Sequence, residues 1–189
     1  MGHFSEQHPT ATQAAWGIVF QNNTGSEIVA LTVDYIGEQW RQVTGSAGDS
    51  LQFSYTTSLT NITDLAPTSG ATPSGWTAVS SLDFIAPQSG GGGSGSALDG
   101  NAAANRAQKT ATVSVNIPIG NYFALRWFDG SRSGNNNDAG MGIDELIVTA
   151  AIPEPTALLF GGAVCGVIGV TWGFRRLVGT FFSRRRATS

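Results

Sequence analysis

Both histidines, His3 and His8, lie in the polar opening residues, and the single cysteine, Cys165, sits in an apolar run near the C-terminus. Acyl transfer through a Ser or Cys nucleophile needs a base, ordinarily histidine, within hydrogen-bond reach. Between Pro9 and Ser189 there is none, so that chemistry is not expected. Zinc, which takes Cys and His ligands, is disfavoured for the same reason. What remains is oxygen. Asp129-Gly130-Ser131-Arg132-Ser133-Gly134-Asn135-Asn136-Asn137-Asp138, followed by Asp144 and Glu145, is the densest run of carboxylate and amide oxygens. Such donors suit calcium, with Asp129, Asp138 and Asp144 as the candidate ligands. The spacing departs from an EF-hand, because the twelfth position from Asp129 is Gly140 rather than Glu. Asn, Asp and Gly also build plain turns, and that reading stands beside the first. Apart from a structural calcium, no cofactor is expected.

Glycoside cleavage uses two carboxyl groups, and Asp34, Glu38, Asp144 and Glu145 are the available set. Carboxylates flanking strands are ordinarily solvated, so an enzyme is not the expectation. Trp16, Trp40, Trp76 and Trp127 are expected as core anchors; a carbohydrate platform would need at least two of them exposed on one face. In Trp40-Arg41 and Arg126-Trp127 the neighbours point to opposite faces of a strand, which rules out stacking within each pair. A buried ion pair of Arg126 with Glu38 or Asp144 is expected instead.

The elements that hold these residues are strands. Charged residues make up only 12% of the chain, there are 25 glycines, and one cysteine permits no intrachain disulfide. That composition suits an exported all-β domain held by its core alone. Apolar and polar residues alternate at Trp16, Ile18 and Phe20; at Val29, Leu31, Val33 and Tyr35; at Leu51, Phe53 and Tyr55; at Val113, Val115 and Ile117; and at Phe123, Leu125 and Trp127. Asn22-Asn23-Thr24-Gly25 and Pro118 to Gly120 are turn signals between them. Trp76 opens a less regular strand reaching Leu82 and Phe84, and Ile143 to Ala150 is the last. Residues 89–96 are only Gly and Ser, a long loop within one domain. Seven to nine short strands with Gly and Pro turns predict a two-sheet antiparallel β-sandwich of jelly-roll type over residues 15–150. Residues 1–14 are expected to be a disordered N-terminal segment.

Within that span Gly37-Glu38-Gln39-Trp40-Arg41, Leu98 to Arg106, Leu125-Arg126-Trp127 and Asp138 to Leu146 resemble the motifs of a β-sandwich module found in bacterial secreted proteins. The resemblance implies an accessory module with no assigned activity. Met141-Gly142-Ile143-Asp144-Glu145-Leu146 departs from that module's more usual apolar-Ala-Ile-Asp-Asp-Leu.

Residues 151–189 differ in kind. Pro153-Glu154-Pro155 is followed by nineteen uncharged residues, 156–174, and then by Arg175, Arg176, Arg184, Arg185 and Arg186. Nineteen helical residues reach roughly 28 Å, close to the hydrocarbon thickness of a bilayer. Half of the chain's ten basic residues lie in the last fifteen positions, while residues 1–153 are acidic. Arginines beside a spanning helix stay in the cytoplasm, so the acidic body is expected outside and nucleic acid is not an expected partner. Gly162, Gly166, Gly169 and Gly173 fall on one helix face, where small residues let a second helix approach closely; glycine is also common in spanning helices generally. The tripeptide, the weakly hydrophobic helix and the terminal arginine cluster together resemble the PEP-CTERM sorting signal of Gram-negative envelopes. That resemblance implies export, and cleavage near Pro153-Glu154-Pro155 by an exosortase, a membrane-embedded transpeptidase. Leu177 to Phe182, lying between the two arginine groups, departs from the pattern. Ala14 to Phe20 is no signal peptide, having no basic n-region, so the expected start lies upstream; the alternative is insertion by the C-terminal helix alone.

The expectation from sequence is therefore a non-enzymatic envelope or extracellular-matrix protein. It is a single-pass membrane protein with its ectodomain outside, released to the surface on cleavage. Membrane lipid and an exosortase-type enzyme are its expected partners. The alternative is a carbohydrate-binding or hydrolytic accessory module acting on exopolysaccharide.

Overall fold

Alternation of apolar and polar residues puts one face of each long strand in contact with the opposite sheet, and two antiparallel sheets result. The computed structural model describes residues 13–43, 49–65, 74–91, 95–130 and 138–153. Its long strands are β1 (Gln13–Gln21), β2 (Ile28–Gln42), β3 (Ser50–Ser58), β7 (Arg106–Ile117), β8 (Tyr122–Gly130) and β9 (Gly140–Ala151). Short strands β4 (Thr77–Ala78), β5 (Phe84–Ile85) and β6 (Ser96–Ala97) complete the set. One sheet runs β1-β8-β3, with β4 and β5 pairing in turn with β3. The other has β2 at its centre between β7 and β9, and β6 continues the β7 side at Arg41 and Gln42. The architecture is all-β, a sandwich of two antiparallel sheets, and the compact unit ends at Pro153.

The core lies between the sheets. Leu31, Val33 and Tyr35 of β2 face Leu51 and Phe53 of β3 and Phe123, Leu125 and Trp127 of β8. Tyr35 meets Trp127 edge-on across the gap at 5.4 Å between ring centroids, and its hydroxyl donates to the Leu82 carbonyl. Burial accordingly pushes the Tyr35 phenol well above its ordinary range. Trp16, Ile18 and Phe20 pack on the rim of this cluster, with Phe20 stacked on Phe123.

Asn22 fastens one end of the sandwich. It is buried, its amide donates to the Ile117 and Ser26 carbonyls at 2.7 and 2.9 Å, and its Oδ1 accepts from the Thr24 backbone and hydroxyl. Its backbone N–H and C=O bond Asn121 and Gly120, so the β1–β2 and β7–β8 turns form one corner. Every polar atom of a buried amide is satisfied there.

Three details depart from the strand pattern. A bulge between Ile28 and Ala30 turns Val29 outward, 40% exposed, and puts Ile28 in the core in its place. β2 continues six residues past Ile36 because Gly37 leaves room for the Phe84 ring; a Cβ there would lie 2.2 Å from it. In β9 a second bulge places Glu145 at φ 53, so Met141 and Ile143 before it and Leu146 and Val148 after it all face the core.

Among the described residues no helix is long and apolar enough to cross a membrane. Residues 156–174, Glu154, Pro155, the four glycines of the expected helix face and the five terminal arginines lie outside the described residues.

Candidate functional site around Trp40

Beyond the bulge at its start, the even-numbered residues of β2 point away from the core. Thr32, Asp34, Ile36, Glu38 and Trp40 therefore line the outer face of their sheet, between β7 and β9. Arg106 lies opposite Glu38 on one side and Gly142 on the other. The Arg106 guanidinium reaches Glu38 at 3.6 Å and Glu145 at 3.5 Å. Glu38 is buried, and its second oxygen accepts the Trp40 indole N–H at 3.2 Å. Its first oxygen has no hydrogen bond closer than this long ion pair.

The loop after β6 supplies the floor. Leu98 N–H donates to the Trp40 carbonyl, and the Asp99 carbonyl accepts from the Ala102 backbone and the Asn105 amide. Asp99 Oδ1 caps Asn101 N–H, so the loop is fixed from within. Gly100 then lies against the indole, where a Cβ would come within 2.3 Å of the ring. Trp40 nonetheless remains 45% exposed. The result is an aromatic surface held rigid by one hydrogen bond and one glycine, and flanked by a partly exposed cation and the exposed carboxylate of Glu145. Such pre-organisation lowers the entropic cost of binding.

No family model, functionally described protein or solved structure matches the chain. Three of the four stretches that carry the ectodomain resemblance, Gly37 to Arg41, Leu98 to Arg106 and Asp138 to Leu146, supply residues of this one site. The fourth, Leu125-Arg126-Trp127, belongs to the other sheet.

The carboxylates fall as follows. Glu38 and Glu145 lie within about 7 Å of each other, a distance set by their shared guanidinium. Glycosidases keep two carboxyl groups about 5–9.5 Å apart with the sugar between them, and here a guanidinium fills the gap. Asp34 accepts both bonds of the Gln108 amide, and Asp144 caps the Glu145 N–H at the bulge.

Arg126 pairs with neither Glu38 nor Asp144. It projects from the outer face of the first sheet, fully buried, between Gly17 of β1 and Ser54 of β3. Its guanidinium stacks on Phe128 at 5.0 Å and on Trp76 at 5.6 Å, and the carboxylate that acts on it is Asp64. The expectation failed because Trp76 and Asp64, both outside the strands, act on a face that strand alternation marks as exposed. Of the domain's tryptophans, Trp127 is core, Trp16 and Trp76 are half-buried, and Trp40 is exposed.

Of the candidate calcium ligands, Asp129 and Asp138 come together and Asp144 stands on the outer face of the other sheet. Asp49 takes the third place. Its Oδ2 accepts Ala139 N–H at 2.9 Å, which folds the start of β9 back against β3. Among the described residues no group of His, Cys, Asp and Glu is arranged to hold a metal ion. Burial pushes Asp129 up to about 6, and the charges of Asp138 and Asp49 add to the rise. The folded state thus holds an extra proton between the unfolded carboxyl value near 4 and about 6, and stability falls as pH rises through that window. Asp129→Asn should flatten the slope and stabilise the protein at pH 7 by about 1–2 kcal/mol, allowing for the group's partial exposure. Melting curves of the two proteins between pH 4 and 7 measure it, and parallel profiles would refute it.

Proposed function

We propose that the chain is an exported, non-enzymatic envelope or extracellular-matrix protein. Its body is a jelly-roll-like sandwich, and its C-terminal segment is a PEP-CTERM-type sorting signal that spans the membrane with its arginines inside. The jelly-roll reading is supported by the order β1-β8-β3 in one sheet and by β2 beside β7 in the other.

The observation that carries the sorting reading is the place where the fold stops. β9 ends at Ala151, Ile152 is 45% exposed, Pro153 is exposed, and the compact unit ends at that proline. The tripeptide therefore begins at the last residue of the folded body. Proline on both sides of Glu154 holds the chain extended and accessible to a processing enzyme. Membrane lipid holds the uncharged segment, and an exosortase-type transpeptidase is the partner that cuts it. Fractionation followed by mass spectrometry of the mature C-terminus tests this. The expected product is an envelope-associated chain that has lost its arginine cluster. Full-length protein free in the cytosol would exclude both anchor and sorting, and an intact C-terminus in membranes would exclude sorting alone.

A second reading, a sugar-contacting accessory module on exopolysaccharide, is favoured by one observation, the rigid and exposed indole of Trp40 beside Arg106 and Glu145. Its test is Trp40→Ala, which should abolish retardation of the protein in gels containing the producing cell's exopolysaccharide. Undiminished retardation would remove this reading.

A further inference from the structure

The two sheets part along one side of the sandwich, where β3 and β4 face the C-terminal half of β7. A cleft of about 350 Å³ opens there. Its floor is Tyr55 and Val115, both packed on the core cluster, and its walls carry Thr57, Thr77, Ser114 and Asn116. Thr56 also borders the cleft, but its hydroxyl is spent on the Gly75 carbonyl at 2.6 Å, which fixes the turn before β4 as a rim. Among the described residues, the polar side-chain atoms of Tyr55, Thr57, Thr77, Ser114 and Asn116 make no hydrogen bond. Among the described residues no Lys, Arg, Asp, Glu or His lines the space.

From this we infer that the cleft binds one or two units of a neutral polyhydroxylated ligand, an uncharged glycan. Its volume lies at the lower end of the range for small-molecule sites. Unengaged hydroxyls and one primary amide offer donors and acceptors in alternation, as sugar hydroxyls require, and a phenol ring supplies the one aromatic surface. An anionic ligand would find no countercharge, and an apolar one would strand the hydroxyls. A peptide adding to the exposed edge of β7 would instead bond to main-chain groups and ignore these side chains. The site shares no residue with the Trp40 surface and depends neither on the sorting segment nor on the second reading above.

The test is NMR of the full-length chain in detergent micelles, titrated with cello-, malto- and galacto-oligosaccharides at millimolar concentration, and with alginate fragments as the anionic control. At least one neutral oligosaccharide should shift the Asn116 side-chain amide. Asn116→Ala and the double variant Thr77→Val, Ser114→Ala should each weaken that binding roughly threefold to tenfold, with unchanged melting temperature. Trp40→Ala should leave it intact. The inference is overturned if no neutral oligosaccharide binds, if alginate binds better, or if the cleft variants bind as the parent does. It is overturned equally if Trp40→Ala abolishes the binding, which would assign the sugar to the Trp40 surface.

Discussion

Arg126→Ala should lower the unfolding free energy by about 3–5 kcal/mol, a fall of roughly 10 °C in melting temperature. The guanidinium is fully buried on the outer face of the β1-β8-β3 sheet, where Phe128 and Trp76 stack on it and Asp64 offsets part of its desolvation. Truncation leaves a void beside Trp76 and removes both stacking contacts. Arg126→Met separates packing from charge. It restores most of the volume and should recover about half of the loss, because an aliphatic stem also packs on the two rings. Urea unfolding of the three proteins measures both quantities. A loss below about 1 kcal/mol for the alanine variant would show that these contacts contribute little. Trp76 fluorescence reports the same event locally, and it should redshift in Arg126→Ala under conditions where the rest of the fold is intact.

Trp127→Ala should cost a similar 3–5 kcal/mol by a different route. Trp127 is 1% exposed and meets Phe53 of its own sheet at 5.3 Å and Tyr35 of the opposite sheet at 5.4 Å, both edge-on. It therefore joins the two layers at their centre. Edge-on aromatic pairs add about 0.5–1.5 kcal/mol each to the area they bury. The indole N–H makes no regular hydrogen bond, although it lies near enough to the Tyr35 hydroxyl to offset part of that phenol's rise. Trp127→Phe should consequently cost far less, about 1–2 kcal/mol, since it loses volume and no strong polar contact. Equal losses for the Ala and Phe variants would mean that the N–H matters more than the ring. Chemical denaturation with circular dichroism distinguishes these outcomes.

Where alternate residues of a strand met the core, their spacing announced it. β1, β3 and β8 are legible from Trp16 to Phe20, Leu51 to Tyr55 and Phe123 to Trp127, and two antiparallel sheets follow from them. Legibility failed where a single residue changed the phase. Val29 belongs to the inward series by spacing, yet the bulge beside it turns it out. Glu145 performs the same shift in β9, and no period-two pattern contains a residue at φ 53. Burial of Arg126 depends in part on Trp76, which lies outside the strands, and such cover leaves no periodic trace. The Trp40 surface was half legible. Its carboxylates and the exposed face of β2 were in view, but the partnership of Glu38 with Arg106 is a cross-strand register, and register is decided by bulges and turns distant from the pair. The role of Gly100 beneath the indole was invisible for the same reason.

The strand register has a temporal corollary. Gln13 lies opposite Gly130, and Ala30 opposite Ala151, so neither layer has all its long strands until nearly the whole body has been synthesised. Connections this distant in sequence close slowly, in milliseconds to seconds. A nascent chain of this topology consequently completes neither sheet until its last long strands have been made.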